Sequence, residues 1–208
     1  MALVVIPLSR KAPAIAARVG VRVAGATGLS LMALGFIVLS TLEVGSSYAH
    51  FLAGLLPFGA GMALAGAPAT TAIVASLPRS KQGVASAVND VSRELGGALG
   101  IAVLGSVLNT AYRSGVQDST AAVPPGLADS ARGSLGAAQA IGRRLGAPDL
   151  VAQANNAFVH GISVALLAGA AALIGGAVFV ALRAPGRTES QANAGEAMPA
   201  TLTPAQPA

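Results

Sequence analysis

The chain has 208 residues, of which 53% are hydrophobic and only 10% are charged, whereas about a quarter of the residues of a soluble domain are charged. Because it contains no cysteine, it has no disulfide, no thiol nucleophile and no cysteine-based metal site. Its net charge of +5 does not indicate a nucleic-acid partner, since the Lys and Arg residues stand in short clusters beside long apolar runs.

The N-terminal residues 2–17 are a poor candidate for a membrane span. Seven apolar residues precede the first basic pair, too few to cross a bilayer, and Pro7 and Pro13 interrupt a helix. We therefore expect residues 1–22 to form a truncated span and a cytoplasmic basic loop near the inner membrane surface. A natural interfacial anchor is the alternative.

Four later apolar runs are long enough to cross a membrane, at about 20 residues per helix. They cover residues 23–42, 51–77, 84–108 and 158–182. The chain is therefore predicted to be an all-α, polytopic membrane helical bundle. Three of its transmembrane helices lie within residues 23–113, and the last follows a long loop.

The long loop, residues 114–157, contains a pattern typical of an amphipathic helix. Apolar residues recur there at steps of three and four, namely Leu127, Ala131, Leu135, Ala138, Ile141 and Leu145. We expect one helix over 127–145 that can rest on the bilayer surface, followed by a second short helix from about 149 to 156. Residues 183–208 are rich in Pro, Ala, Thr and Gln and predict a disordered tail.

The distribution of Lys and Arg predicts the orientation of the spans. Basic residues cluster in 9–22, in 79–81 and after residue 182, whereas the turn 43–50 has none. Since cytoplasmic loops carry the excess of Lys and Arg, these three basic segments are predicted to be cytoplasmic. We thus expect a plasma-membrane protein with its C-terminus inside and the loop 114–157 outside.

Charged residues inside the third full span are the candidates for chemistry. Asp90, Arg93 and Glu94 lie within 84–108, where each ionised group costs on the order of 3 kcal/mol if it faces lipid. Asp90 and Glu94 share a helix face, and Arg93, three residues after Asp90, can pair with it; Asn89 and Arg93 form a second row. Such carboxyl groups are typical of proton relays, although a charge network that only holds the helix in place is the alternative.

Glycines follow the charged residues along the same span. Gly96 and Gly100 form a GxxxG step, which allows a second helix to approach closely, and Gly97 and Gly105 lie nearby. Glycines are also frequent in residues 54–66. We expect both glycine-rich segments to lack their packing partners in this chain.

The run from Ser86 to Gly105, with Tyr112 and Arg113 after it, resembles the thirteenth span of the fourteen-span drug:proton antiporters of the major facilitator superfamily. The matching residues are Ser86, Asn89, Asp90, Arg93, Glu94, Leu95, Gly96, Gly97, Gly100 and Gly105. This resemblance implies the C-terminal part of a major facilitator fold whose N-terminal half is missing. Asn89 stands where some members of the family carry a further acid, which implies a shorter relay here.

The resemblance also implies a function. The complete transporter is expected to exchange amphiphilic, drug-like compounds for protons by alternating access, with Glu94, Asp90, Arg93 and Asn89 in proton coupling or substrate binding. Its partners are then membrane lipid, the substrate, protons and the N-terminal half, with no cofactor and no metal. Since no catalytic set of residues is recognisable, an enzyme is not expected. A self-standing four-span membrane protein with a structural or interaction role is the alternative.

Overall fold

The structure, a computed structural model, describes residues 2–75, 79–121 and 123–184 of the chain. The helices in these ranges are α1 (Ala2–Val19), α2 (Val21–Ser40), α3 (Tyr48–Ala75), α4 (Gln82–Gly115), α5 (Pro125–Gly133), α6 (Leu135–Leu145) and α7 (Pro148–Arg183). Short 3-10 turns at Arg79–Lys81 and Asp118–Thr120 lie on either side of α4. The all-α class is confirmed, while the predicted disorder of the tail falls on residues 185–208, outside the described part.

Four of these helices, α2, α3, α4 and α7, are long and apolar enough to cross a membrane, by length and composition. Their mean hydropathy reaches 1.9 in α2, 1.4 in α3 and α4, and 2.4 in α7. They are the four spans that the sequence predicts. The last span is longer than predicted, because the expected short helix at 149–156 is continuous with it.

The helix α1 differs from the expectation of an interrupted segment, because it runs without a break through Pro7 and Pro13. One side of it is packed, with Ala12 and Ala16 both buried, and tertiary packing of this kind can maintain a helix that has lost backbone hydrogen bonds at proline. α1 ends at Gly20, whose φ of 90° is open to glycine but rarely to other residues.

The helices α2 and α3 pack against each other through glycines. The glycine-rich segment 54–66 therefore has a packing partner within the chain, and the expectation that it lacks one is wrong. A Cβ placed on Gly28 would lie 2.8 Å from the backbone nitrogen of Ala65. One placed on Gly35 would lie 2.8 Å from the carbonyl oxygen of Gly54. The two backbones approach this closely only because side chains are missing at the crossing, which is how membrane helices gain van der Waals contact.

The helix α2 is central to the bundle, because it packs on both α3 and α7. The rings of Phe36 and Phe58 stack with centroids 5.0 Å apart and planes 6° apart. A Cβ at Gly169 of α7 would lie 2.8 Å from the ring of Phe36. The glycine therefore leaves the space into which this aromatic pair fits.

The helix α4 is attached to the bundle mainly at its C-terminal end. Gly161 of α7 lies against the backbone of Leu108, and a Cβ on Gly115 would lie 2.7 Å from the Cβ of Ala157. Since α4 has 34 residues and α7 has 36, each is about 50 Å long, against about 30 Å for the hydrocarbon core of a bilayer. Both helices therefore extend beyond the hydrocarbon at one or both ends.

The joined ends of α4 and α7 carry a small folded unit formed by residues 116–121 and 123–147, which we call the cap. The single amphipathic helix expected over 127–145 is wrong: α5 and α6 are separate, because Ser134 is extended (φ −158°) and its hydroxyl caps α6 by accepting from the Ala137 amide. The middle of the apolar face of these helices is not open toward a bilayer either, although Leu127 and Leu145 at its two ends are exposed. It packs on α4 and α7 in one cluster with Tyr112, Val116, Val123, Ala128, Ala131, Ala138, Ile141, Leu150, Ala154 and Ala157.

Candidate functional site

Much of the middle of α4 is exposed, although its sequence is that of a membrane span. Leu99 is 65% exposed and Ile101 is 78% exposed. Ala85 and Asn89, which lie one turn apart near the start of the helix, are buried. The first turns of α4 and its C-terminal end therefore touch the rest of the chain, and the section between them projects away from it.

Within residues 84–99, the exposed residues of α4 are sorted by chemistry around the helix axis. Large apolar side chains form what we call the apolar stripe, with Val84, Val88, Val91, Leu95 and Leu99. At about 100° per residue, the stripe occupies one side of the helix, and Asp90 and Glu94 are centred about 120° away from its middle. Within residues 84–99 the apolar stripe can therefore contact lipid without bringing the two acids to lipid. Farther along the helix, the exposed Ile101 lies on the same side as the acids.

The structure places Asp90, Arg93 and Glu94 on the exposed surface of α4. The predicted ion pair between Asp90 and Arg93 is not formed. One ion pair, between Arg132 and Asp129, has an N–O distance within 4 Å in residues 2–75, 79–121 and 123–184. Asn89, in contrast, is buried at 8% exposure.

The glycines of α4 face open space. Nothing lies within 4 Å of a Cβ placed on Gly96, Gly97, Gly100 or Gly105. No helix of the described part of the chain makes the close approach that the GxxxG step predicts. The role of these glycines in helix packing, and the expectation that their partner lies outside this chain, stay predictions.

The sequence did not predict a polar cleft at the C-terminal end of α4. Arg113, from the last turn of α4, and Arg132, from the last turn of α5, line the same cleft. These residues are 19 positions apart, so no periodic spacing connects them. The one available signal was the presence of Arg113 immediately after a predicted span, where a charged residue lies at the membrane surface.

No protein-family model matches the chain. Several curated proteins are similar to it over most of its length. The multidrug efflux pump LfrA of Mycolicibacterium smegmatis is 34% identical over 161 residues, which are 74% of this chain and 32% of that protein. The multidrug resistance protein Stp of Mycobacterium tuberculosis is 34% identical over 167 residues, or 75% of this chain and 31% of that protein.

A further relative comes from a distant bacterium. The methyl viologen resistance protein SmvA of Salmonella typhimurium is 32% identical over 158 residues, which cover 72% of this chain and 30% of that protein. The chain thus spans about a third of the length of the curated relatives it matches. By name these relatives are transport or resistance proteins, in agreement with the expectation that the chain is not an enzyme.

Proposed function

The chain belongs with the multidrug efflux proteins of the major facilitator superfamily, and from this premise we propose that it forms the C-terminal part of a proton-coupled exporter of amphiphilic compounds. It would work together with the spans that make up the other two thirds of such proteins. Transport in this superfamily proceeds by alternating access around a site between helical repeats, so a partial set of spans is expected to export nothing alone.

The observation that carries this proposal is the arrangement of α4. Two carboxyl groups, on Asp90 and Glu94, lie well away from the apolar stripe on a part of the helix that no other described segment covers. Ionisable residues at such depth are expensive unless they face a protein interior or a water-filled cavity. A helix from the remaining part of the transporter would supply that surrounding and would contact the open glycines as well.

We assign the main role in proton exchange to Glu94. It lies 12 residues from the first residue of α4, about 18 Å along the axis, and Asp90 lies about 12 Å along it. Glu94 is therefore the deeper of the two acids in the predicted span. Asp90, Arg93 and Asn89 would tune the charge of the site or contact the substrate.

A chimera tests the proposal. In the M. smegmatis relative, the matching segment of about 160 residues is replaced by this chain, and the chimera is expressed in a drug-sensitive host. We expect dye efflux that a protonophore abolishes. Glu94→Gln should leave the amount of membrane protein unchanged and remove the dependence of efflux on the pH gradient, because glutamine keeps the size and hydrogen bonding of the side chain but cannot titrate.

Two controls make the result specific. Glu43→Gln changes an exposed acid in the turn after α2 and should leave efflux unchanged. The chain expressed alone should export nothing. Proton-dependent efflux from the chain alone would refute the need for further spans. A well-inserted but inactive chimera, together with a stable oligomer of the chain alone, would favour the self-standing membrane protein.

A further inference from the structure

The polar cleft between α4 and the cap has the size of a ligand site. Its volume is about 420 Å³, which falls within the usual range of about 300–1,000 Å³ for small-molecule pockets. All of its lining residues are polar or charged: Asn109, Thr110, Arg113, Ser114, Gln117 and Arg132. No Asp or Glu is among them.

The two arginines of the cleft differ in how they are held. The Nε of Arg132 donates to the hydroxyl of Thr120 at 2.8 Å, and its Nη1 lies 3.5 Å from a carboxylate oxygen of Asp129, whose side chain is 84% exposed. Arg132 is thus fixed in position, and its other guanidinium N–H groups can donate hydrogen bonds to a ligand. Arg113 makes no hydrogen bond or ion pair with any residue of the described ranges.

The position of Arg113 has a simple explanation when it is considered alone, because a cation in the last turn of a helix is stabilised by the helix dipole. That explanation does not cover Arg132, which reaches the cleft from another helix. Both arginines line one cleft, and an anion bound in the cleft would be attracted to both guanidinium groups. Amide groups of Asn109 and Gln117 can donate further hydrogen bonds to such an anion.

The depth of the cleft indicates where the anion comes from. Arg113 lies five residues beyond Leu108, the end of the predicted span, which is about 7 Å along the helix axis. The polar headgroup layer of a bilayer extends about 5–7.5 Å beyond the hydrocarbon, so Arg113 lies in the outer part of that layer. We propose that this cleft binds a phosphate group, the part shared by an anionic phospholipid headgroup and free phosphate, through Arg113 and Arg132.

The test uses the full chain reconstituted in nanodiscs of phosphatidylcholine with increasing phosphatidylglycerol. The melting temperature is measured for the unaltered chain and for Arg113→Gln, which breaks no described contact. We expect phosphatidylglycerol to raise the melting temperature, and Arg113→Gln to need about tenfold more of the anionic lipid for the same shift, as for the loss of one charge-assisted hydrogen bond. Arg144→Gln, also exposed on the cap, is the matched control and should leave the response unchanged.

A second arm separates the two sources of phosphate. Inorganic phosphate is titrated onto the chain in phosphatidylcholine nanodiscs at constant ionic strength. A shift with phosphatidylglycerol alone supports the lipid as the ligand, and a shift with inorganic phosphate that Arg113→Gln weakens supports a soluble phosphate compound. No shift in either arm, or an equal loss in Arg113→Gln and Arg144→Gln, overturns the proposal.

Discussion

Whether a glycine of this chain can be replaced depends on what lies beyond its missing side chain. A Cβ on Gly61 would collide with the carbonyl oxygen of Gly28, whereas a Cβ on Gly66, five residues later in the same helix, would meet no atom of the described residues. We expect Gly61→Ala to destabilise the bundle by about 1–3 kcal/mol through overpacking. Gly66→Ala should stabilise it by about 1 kcal/mol, because alanine favours the helix. Melting temperatures in detergent check both, and equal shifts would contradict the close packing of α2 on α3.

The exposed positions of Asp90 and Arg93 change the expected effect of Asp90→Asn on the amount of folded protein. If Asp90 were paired with Arg93, Asp90→Asn would leave a buried cation alone and reduce the amount of folded protein. Because the two side chains are not paired in this chain, we expect Asp90→Asn to be present in membranes at the unaltered level. Quantitative immunoblotting of membranes checks this. A clear loss of protein that Arg93→Gln restores would show that the pair forms in the bilayer.

At the scale of elements, the cap depends on a buried hydrogen bond at the end of α4. The hydroxyl of Tyr112 donates to the carbonyl of Ala131 at 2.9 Å, and its ring meets the edge of Phe158 with centroids 6.2 Å apart. Tyr112→Phe keeps the ring contact but leaves the carbonyl unpaired, at a cost of about 1 kcal/mol. Local opening of the cap should then increase about fivefold.

Limited trypsin digestion measures that opening, because Arg132, Arg143 and Arg144 lie in the cap. We expect faster cleavage at these sites with no change in the spans. Tyr48→Phe is the control, since Tyr48 is 74% exposed at the start of α3. Equal cleavage rates for the two variants would show that the Tyr112 bond does not stabilise the cap.

The sequence predicted the spans better than it predicted the cap, for physical reasons. A run such as 23–42 must cross about 30 Å of hydrocarbon, so its length and lack of charge nearly determine α2. In the cap, the apolar steps of three and four residues continue through Gly133 and Ser134. The periodicity alone therefore predicts one helix, whereas the chain ends α5 at Gly133 and starts α6 with the Ser134 cap.

The same contrast applies to the candidate site. The sequence was sufficient to single out the acids at 90 and 94, because ionisable residues are rare and costly in a span. It could not predict their surroundings, and both acids are exposed on the described part of the chain. The cleft of Arg113 and Arg132 was missed because it exists only after the cap has folded.

At the scale of the whole molecule, the spans alternate in direction. Glycine contacts put the start of α2 beside the end of α3, and the end of α4 beside the start of α7. The turn after α2 and the cap therefore lie at one end of the bundle, and the basic turn 79–81 and the end of α7 at the other. Because cytoplasmic segments carry the excess of Lys and Arg, we expect the second end to be inside.

Reporter fusions check this orientation. Alkaline phosphatase fused after Ala208 should be inactive, whereas the same enzyme inserted after Gly133, in the cap, should be active, because it folds only outside the cytoplasm. Green fluorescent protein at the two sites should give the reverse pattern. Activity of both phosphatase fusions would refute the prediction that α7 crosses the membrane between the two sites.

The packing of α2 against α3 also bears on the order in which the chain enters the membrane during synthesis. The two helices are consecutive, seven residues connect them, and their glycines meet without help from any later segment. They can therefore pair as a hairpin while the ribosome is still translating α4. The helix α4 has three charged residues in its predicted span and a mean hydropathy of 1.4, against 2.4 for α7. It therefore partitions less readily into lipid than α7 does. A hairpin of α2 and α3 that is already in the membrane would help α4 to insert.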